Sequence, residues 1–234
     1  MISRSTLLAF DFDGTLAPID DDPGRVKLPR AAAALLAEAT NLRGIVVAVV
    51  SGRDAGDLAA RVRLSNVYLI GSHGLEIRAP GGVVVRDEPP LSIEVEPALV
   101  AGIEASGLRL EAKKHAITLH WRGLRPETAL PVADRFRAWA RSSDLDVIEG
   151  RCIVEARRSG AGKVEALRWL CSALGTTRVV YAGDDVPDFA ALRFAAENGR
   201  AIFVASSERQ PPPDVTVVGS FLELFRLIRE EVMI

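Results

Sequence analysis

Cysteine is nearly missing from this 234-residue chain: only Cys152 and Cys171 occur, with no CxxC spacing. That usage excludes a disulfide-stapled secreted scaffold and suits a reducing cytoplasm, with both residues as buried thiols. Long apolar runs are missing too. Stretches such as Ile45–Val50 fall far short of the ~20 residues that a bilayer span needs. No basic leader precedes a long apolar segment, so neither a membrane span nor a secretory signal is expected. Nor is there an excess of one charge. Lys and Arg number 29 and Asp and Glu 31, a formal net charge of −2. Without a general basic field, wholesale nucleic-acid binding is not expected. Repeats and low-complexity segments are absent apart from the short QPPPD turn at Gln210–Asp214. The remaining composition, 48% hydrophobic and 26% charged, is ordinary for a globular protein of one large domain or two small ones.

What is present alternates. Apolar runs of strand length occur at Leu7–Phe10, Ile45–Val50, Val67–Ile70, Val179–Ala182, Ala201–Val204 and Val215–Val218. Runs so uniformly apolar belong in a sheet covered on both faces. Helical patterns lie between them. Pro29 opens one that carries Leu35, Leu36 and Leu42, and Leu58 and Val62 stand one turn apart after Asp54. A third pattern, from Ala161 to Leu174, sets Val164, Leu167, Leu170 and Leu174 on one stripe, with Gly175 beyond its end. Alternation with short links predicts an α/β fold with a doubly wound, Rossmann-like parallel sheet.

The middle of the chain breaks this rule. RLEAKKHAITLHW alternates around Ile117, Leu119 and Trp121, and DVIEGRCIVEA holds two strand-like runs around the hairpin signal Glu149-Gly150-Arg151. One helix is expected between them, near Thr128–Arg141. We therefore expect an α+β domain at residues 77–158 inserted into a core formed by 1–76 and 159–234. Trp121 and Trp139 are expected to anchor the inserted domain's core, because large aromatics dominate packing.

The chemistry concentrates at strand ends. In DFDGT, Asp11 and Asp13 follow the first apolar strand, and Gly14 turns the chain at once. In open α/β sheets that position lines the ligand crevice. Two adjacent carboxylates repel, and Mg²⁺, which prefers oxygen ligands, would relieve them. A plain Asp-Gly turn reads the same five residues without chemistry. VVSGR places Ser51, Gly52 and Arg53 after the second strand, where a hydroxyl and backbone N–H groups can cradle a phosphate. Ser51 alone is equally an ordinary helix cap. Lys163 falls in the first turn of its helix, where its charge opposes the macrodipole; that suits a lysine that meets an anion and, taken alone, equally a solvated one. VVYAGDDVPD repeats the opening arrangement with Gly183, Asp184, Asp185 and Asp188 at another strand end. His73 in GSHG suits either a substrate contact or a hydrogen bond to nearby backbone, and the Asp20–Asp22 run reads as a solvated loop. His115 and His120 are too isolated to suggest zinc.

This four-part pattern resembles the haloacid dehalogenase superfamily of phosphotransferases, with DFDGT as the first motif. The resemblance implies that Asp11 is the nucleophile and is phosphorylated. Asp13 would protonate the leaving oxygen and then activate water. Ser51 and Lys163 would bind phosphoryl oxygens. Mg²⁺ would be held by Asp11, the Asp13 carbonyl and Asp184, with Asp185 or Asp188 nearby. The insertion falls where C2-type caps occur in that superfamily.

A narrower resemblance is carried by DFDGTLAPIDDDP, VAVVSGR, GSHGLE, EAKKHAITLHWR and VEAR, which are similar to segments of the trehalose-6-phosphate phosphatase family. It implies cap residues Glu111, Lys113, His120, Arg122, Glu155 and Arg157, with Glu111, Lys113 and Glu155 binding substrate beside Gly52, Arg53 and His73. The chain departs from that family's pattern at Pro187, Phe189, Val164 and Arg158. The implied activity is Mg²⁺-dependent hydrolysis of trehalose 6-phosphate. Alternatives are phosphatases of other glycosyl phosphates, a phosphosugar mutase, and a catalytically silent ligand-sensing domain. No fused glycosyltransferase segment accompanies these motifs, so a cytoplasmic monomer acting alone or in trans with a trehalose-phosphate synthase is expected.

Overall fold

The computed structural model describes residues 5–20, 22–150, 152–205 and 209–232. Asp21 of the acidic run and Arg151 of the hairpin signal lie outside the described residues. In chain order the elements are β1 (Thr6–Asp11), α1 (Arg30–Thr40), β2 (Ile45–Val50), α2 (Ala55–Val62), β3 (Tyr68–Gly71), β4 (Glu76–Arg78) and β5 (Val84–Asp87). There follow α3 (Pro97–Ala105), β6 (Arg109–Ala112), β7 (Ala116–His120), α4 (Pro126–Ser142), β8 (Leu145–Gly150) and β9 (Ile153–Arg158). The remaining elements are α5 (Lys163–Leu174), β10 (Arg178–Gly183), α6 (Phe189–Asn198), β11 (Gly199–Val204), β12 (Thr216–Val218) and α7 (Phe221–Val232). Two compact units result, one running to Asp87 and resuming at Gly162, the other spanning Glu88–Ala161.

The first unit is built on an eight-stranded sheet ordered β12-β11-β10-β1-β2-β3-β4-β5. Strand β1 shows why this sequence makes a covered sheet. Leu7, Leu8, Ala9 and Phe10 are all fully buried, yet they point alternately to two layers. Leu8, Phe10 and Phe12 pack with Leu35 and Leu36 of α1, Leu58 of α2 and Ile228 of α7. Leu7 and Ala9 pack with Leu167 and Leu170 of α5 and Leu192 of α6. A period of two between two apolar layers produces a continuous apolar run. β1 pairs in parallel with β2 on one side and β10 on the other. The chain winds outward from β1 in one direction and from β10 in the other, so the switch point, and the crevice beyond it, lies at their carboxyl ends.

The change of strand direction does not coincide with the division between the units. β4 and β5 are antiparallel to their neighbours, as sequence alternation suggests, yet they extend the large sheet beyond β3. An antiparallel strand can join the edge of a parallel sheet without a crossover. The units separate after Asp87 rather than at Glu76, and rejoin after Ala161 rather than Arg158.

The second unit is a four-stranded antiparallel sheet, β6-β7-β9-β8. Among the described residues it contains two helices rather than the one expected, because α3 precedes the sheet. Ile117, Leu119, Val154 and Ala156 face Leu99 and Ile103 of α3 and Phe136 and Trp139 of α4. Trp139 is buried, its ring 5.3 Å from that of Phe136, and Trp121 packs half-buried on the same cluster. Of the two cysteines, neither is fully buried: Cys152 and Cys171 are both half-exposed free thiols.

Candidate active site

The carboxyl ends of β1 and β10 bring together Asp11, Asp184 and Asp188. One carboxylate oxygen from each lies within 4.8 Å of the others, and all three side chains are buried. Lys163, the first residue of α5, is buried among them. Its Nζ lies 2.7 Å from Asp11 Oδ1 and donates to Asp188 Oδ1 at 2.7 Å. The lysine that opposes its own helix dipole therefore does meet anions. Burial works against the ammonium, but Asp11 and Asp188 outweigh it and hold the Lys163 pKa above its ordinary value.

The acids respond in the opposite sense. Burial, then the charge of Asp188, pushes Asp11 well above the usual carboxylate range, with Lys163 acting against the shift and Asp184 adding to it. Asp184 is pushed up to about 6, first by burial and then by Asp188, against hydrogen bonding from Thr15. Thr15 Oγ1 donates to Asp184 Oδ1 at 2.9 Å. Asp188 is the best-supported acid of the three. Its Oδ1 also accepts from Tyr181 at 2.5 Å, and its Oδ2 accepts from the Asp184 and Asp185 N–H groups at 3.3 and 3.2 Å. Three buried carboxylates share one buried ammonium, and every donor is a hard oxygen. That set fits Mg²⁺, which Asp11, Asp184 and Asp188 could hold through their carboxylates.

The metal ligand expected at Asp13 is its carbonyl, and its carboxylate pairs with Arg53; the carboxylate of Asp185, expected near the metal, pairs with Arg209 instead. Arg53 clasps Asp13 with two nitrogens, Nε to Oδ2 at 2.7 Å and Nη2 to Oδ1 at 2.6 Å. Asp185 Oδ1 accepts from Arg209 Nε at 2.5 Å and caps the short turn at Val186–Asp188. Gly14 makes the turn after Asp13 with φ of +85°, its N–H donating to Ala17 O at 2.7 Å.

The loop after β2 is less open than a bare phosphate cradle. Ser51 is buried, and its Oγ accepts from the Arg53 N–H at 3.1 Å. The Ala55 N–H, at the start of α2, is taken by the buried carboxylate of Glu76 at 2.7 Å. His73 follows Ser72, and both have left-handed backbones, with φ of 48° and 55°. Non-glycine residues pay for that conformation and keep it only when surroundings enforce it. Here Ser72 N–H donates to Arg53 O at 2.8 Å and His73 N–H to Ser51 O at 3.0 Å. The result sets the imidazole against Gly52, where a Cβ would lie 2.6 Å from His73 Nε2. Gly52, Arg53 and His73 are thus one stapled assembly.

In the second unit, the face of the sheet away from its helices is polar. Glu111, Thr118 and Glu155 stand side by side in register. Lys113 Nζ donates to Glu155 Oε2 at 2.6 Å, and Thr118 Oγ1 donates to the same atom at 3.0 Å. His120 Nε2 lies 2.7 Å from Glu111 Oε2. Burial lowers the His120 pKa, against the pull of Glu111. The polar ladder on this face thus consists of two bonded groups, Glu111 with His120 and Glu155 with Lys113 and Thr118.

Sequence reasoning did not assign Thr15, Tyr181, Asp57 or Glu76. Thr15 stands in DFDGT and could have been found there. Asp57 bonds Arg53 and Arg61, four residues away on either side, a spacing that reads as ordinary ion pairing along a helix, while Tyr181 and Glu76 bond groups 7 and 21 residues away.

The fold has counterparts among solved structures. A haloacid dehalogenase-like hydrolase from Bacteroides thetaiotaomicron superposes with a TM-score of 0.73 at 17% identity, covering 97% of this chain and 99% of that one. The C-terminal domain of Candida albicans trehalose-6-phosphate phosphatase gives 0.78 at 18% identity, covering 99% and 93%. The fold is therefore that of the haloacid dehalogenase-like hydrolases. The trehalose-phosphatase family model matches residues 9–211, and the chain belongs to that family. A trehalose-phosphate phosphatase of Mycobacterium marinum is 32% identical over 211 residues, which is 85% of this chain and 54% of that protein. The chain spans about half the length of the curated relatives it matches.

Proposed function

We propose that this protein is a Mg²⁺-dependent phosphatase that hydrolyses trehalose 6-phosphate to trehalose and phosphate. The observation that carries the reading is the buried cluster of Asp11, Asp184 and Asp188 around Lys163, in a chain of the trehalose-phosphatase family. A carboxylate nucleophile needs help approaching a dianionic ester, and the cluster supplies a cation and a divalent-metal ligand set. Asp11 attacks phosphorus, and the bond from phosphorus to the sugar oxygen breaks. Asp13 gives its proton to that leaving oxygen. Asp13 then takes a proton from water, which attacks the aspartyl phosphate and releases inorganic phosphate and free Asp11. Lys163 and the Ser51 hydroxyl hold phosphoryl oxygens as charge develops. Asp11, Asp184 and Asp188, with the Asp13 carbonyl, would hold Mg²⁺, which would supply further positive charge to offset the charge of the phosphoryl group.

Sugar selection falls to the polar ladder of the second unit, where Glu111, Lys113 and Glu155 offer paired donors and acceptors for hydroxyl groups. Gly52 and His73 belong to the substrate-binding set at the phosphate end. The same reading makes the protein a cytoplasmic monomer that consumes the product of a separate trehalose-phosphate synthase. Phosphate release across a panel of sugar phosphates, with Mg²⁺ and with chelator, tests it. Selective, chelator-sensitive hydrolysis of trehalose 6-phosphate is expected. Undiminished turnover in excess chelator, or preference for another ester, would overturn the metal or the substrate.

A further inference from the structure

Asp57 belongs to neither of the clusters described above, yet it lies at the centre of a charged chain that ends on Asp13. Arg53 uses Nε and Nη2 on Asp13, and its third nitrogen, Nη1, donates to Asp57 Oδ2 at 3.0 Å. Asp57 also accepts twice from Arg61, Nε to Oδ2 at 2.8 Å and Nη2 to Oδ1 at 2.7 Å. Arg61 Nη1 in turn donates to the carbonyls of Val26 and Gly24. Asp57 and Arg61 are one turn apart on α2. Helix α2 therefore grips the segment between β1 and α1 at both ends, at Asp13 through Arg53 and at Gly24 and Val26 through Arg61.

The geometry has a consequence for Asp13. A guanidinium is a rigid planar fork, so fixing one nitrogen fixes the plane of the others. Arg53 is 13% exposed, and its guanidinium carbon lies 5.6 Å from the centroid of the Phe12 ring. Its two bonds to Asp13 define where that carboxylate stands, and its bond to Asp57 defines where the fork stands. An i,i+4 pair serving α2 alone would not also engage Arg53. Hydrogen bonding from Arg61 holds the Asp57 carboxyl below its ordinary range against burial, with Arg53 adding to the effect.

We propose that Asp57 is a positioning residue for the phosphoryl-transfer reaction, aiming the Asp13 carboxylate through Arg53. This rests on the phosphatase reading above, in which Asp13 handles the proton of the leaving group. Asp57 does not touch the reacting atoms, and its influence has to pass through a guanidinium.

Two measurements on Asp57→Asn test this. A crystal structure of the variant should show Arg53 turned and at least one of its two bonds to Asp13 lost. Both bonds intact would overturn the proposal, whatever the chain hydrolyses. In kinetics, kcat for trehalose 6-phosphate should fall by about tenfold with KM within about twofold, and Asp57→Glu should recover part of the loss. 4-Nitrophenyl phosphate, whose leaving group needs no proton, should lose less. In an Asp13→Asn background, Asp57→Asn should cost nothing further. Equal losses with and without the Asp13 carboxylate would overturn the proposal and return Asp57 to a structural role. A wild-type chain that hydrolysed neither ester would sink the phosphatase reading, while the crystal comparison would still decide the geometry.

Discussion

A Cβ placed on Gly14 would lie 2.0 Å from Asp184 Oδ2. The turn after Asp13 is thus shaped so that the Asp184 carboxylate can press against bare backbone. Alanine at position 14 would also be strained at φ of +85°, a conformation that costs an L residue about 1 kcal/mol or more. Gly14→Ala should displace Asp184 and weaken Mg²⁺ binding by about tenfold or more, with turnover falling alongside. Calorimetric titration with Mg²⁺ checks this, and wild-type affinity in the variant would refute it.

The raised carboxyl groups give the metal-free protein an unusual pH dependence. Asp184 ionises at about 6 in the folded chain, above the ordinary 3.8. Between those values the folded state binds more protons than the unfolded state, so stability falls as pH rises. The stability that protonated Asp184 contributes is complete below pH 3.8 and lost as pH passes through about 6. Asp11, raised in the same direction, adds to the loss. In chelator, Asp184→Asn should therefore narrow the gap in melting temperature between pH 5 and pH 7.5. Added Mg²⁺ should raise the wild-type melting temperature more at pH 7.5 than at pH 5, because protons compete for its ligands. Equal Mg²⁺ stabilisation at both values would contradict this.

Tyr181 supports Asp188 from inside the sheet. Its hydroxyl donates to Asp188 Oδ1 at 2.5 Å, and both residues are fully buried. Burial, with the charges of Asp188 and Asp11, raises the phenol well above its ordinary pKa, so it remains a donor. Tyr181→Phe fits the same space but removes a hydrogen bond to a charged group, worth about 1.5–3 kcal/mol. Thermal unfolding with and without Mg²⁺ should show that loss. An unchanged melting temperature would mean that Lys163 and the Asp184 and Asp185 N–H groups hold Asp188 without the phenol.

The polar ladder is tested by comparing substrates. Glu111→Ala, Lys113→Ala and Glu155→Ala should each lower kcat/KM for trehalose 6-phosphate by about tenfold or more. 4-Nitrophenyl phosphate, which has no sugar hydroxyls, should be nearly unaffected. Because Lys113 and Glu155 bond each other at 2.6 Å, their losses should be less than additive. Equal losses on both substrates would indicate a folding defect, and no loss on either would make the ladder structural.

The parts legible in the sequence were those with one dominant physical cause. Strands β1, β2 and β10 read as strands because two helical layers cover them, which leaves no polar position in the run. Helix α3 leaves no helical signature, because PALVAGIEA is apolar nearly throughout and no stripe stands out. β4 and β5 carry the signature of the insertion in sequence, because alternation reveals antiparallel strands but not which sheet they join. At the site, the motifs located Asp11, Ser51, Lys163 and Asp184 at strand and helix ends. They could not separate Asp185 from Asp188, which share one short turn and differ only in the direction of their side chains. Nor could they pair Asp13 with Arg53, which lies 40 residues away.

The central claim is that Asp11 carries the phosphoryl group, and it is tested by catching that group on the chain. Asp13→Asn, slowed in releasing phosphate, is mixed with trehalose 6-phosphate and Mg²⁺ and quenched in acid within a turnover, and its peptides are weighed. The mechanism requires one phosphoryl group on the peptide that contains Asp11, lost in chelator and absent when Asp11 is also changed to Asn. Rapid wild-type hydrolysis of trehalose 6-phosphate with the Asp11 peptide never labelled in either protein would contradict it.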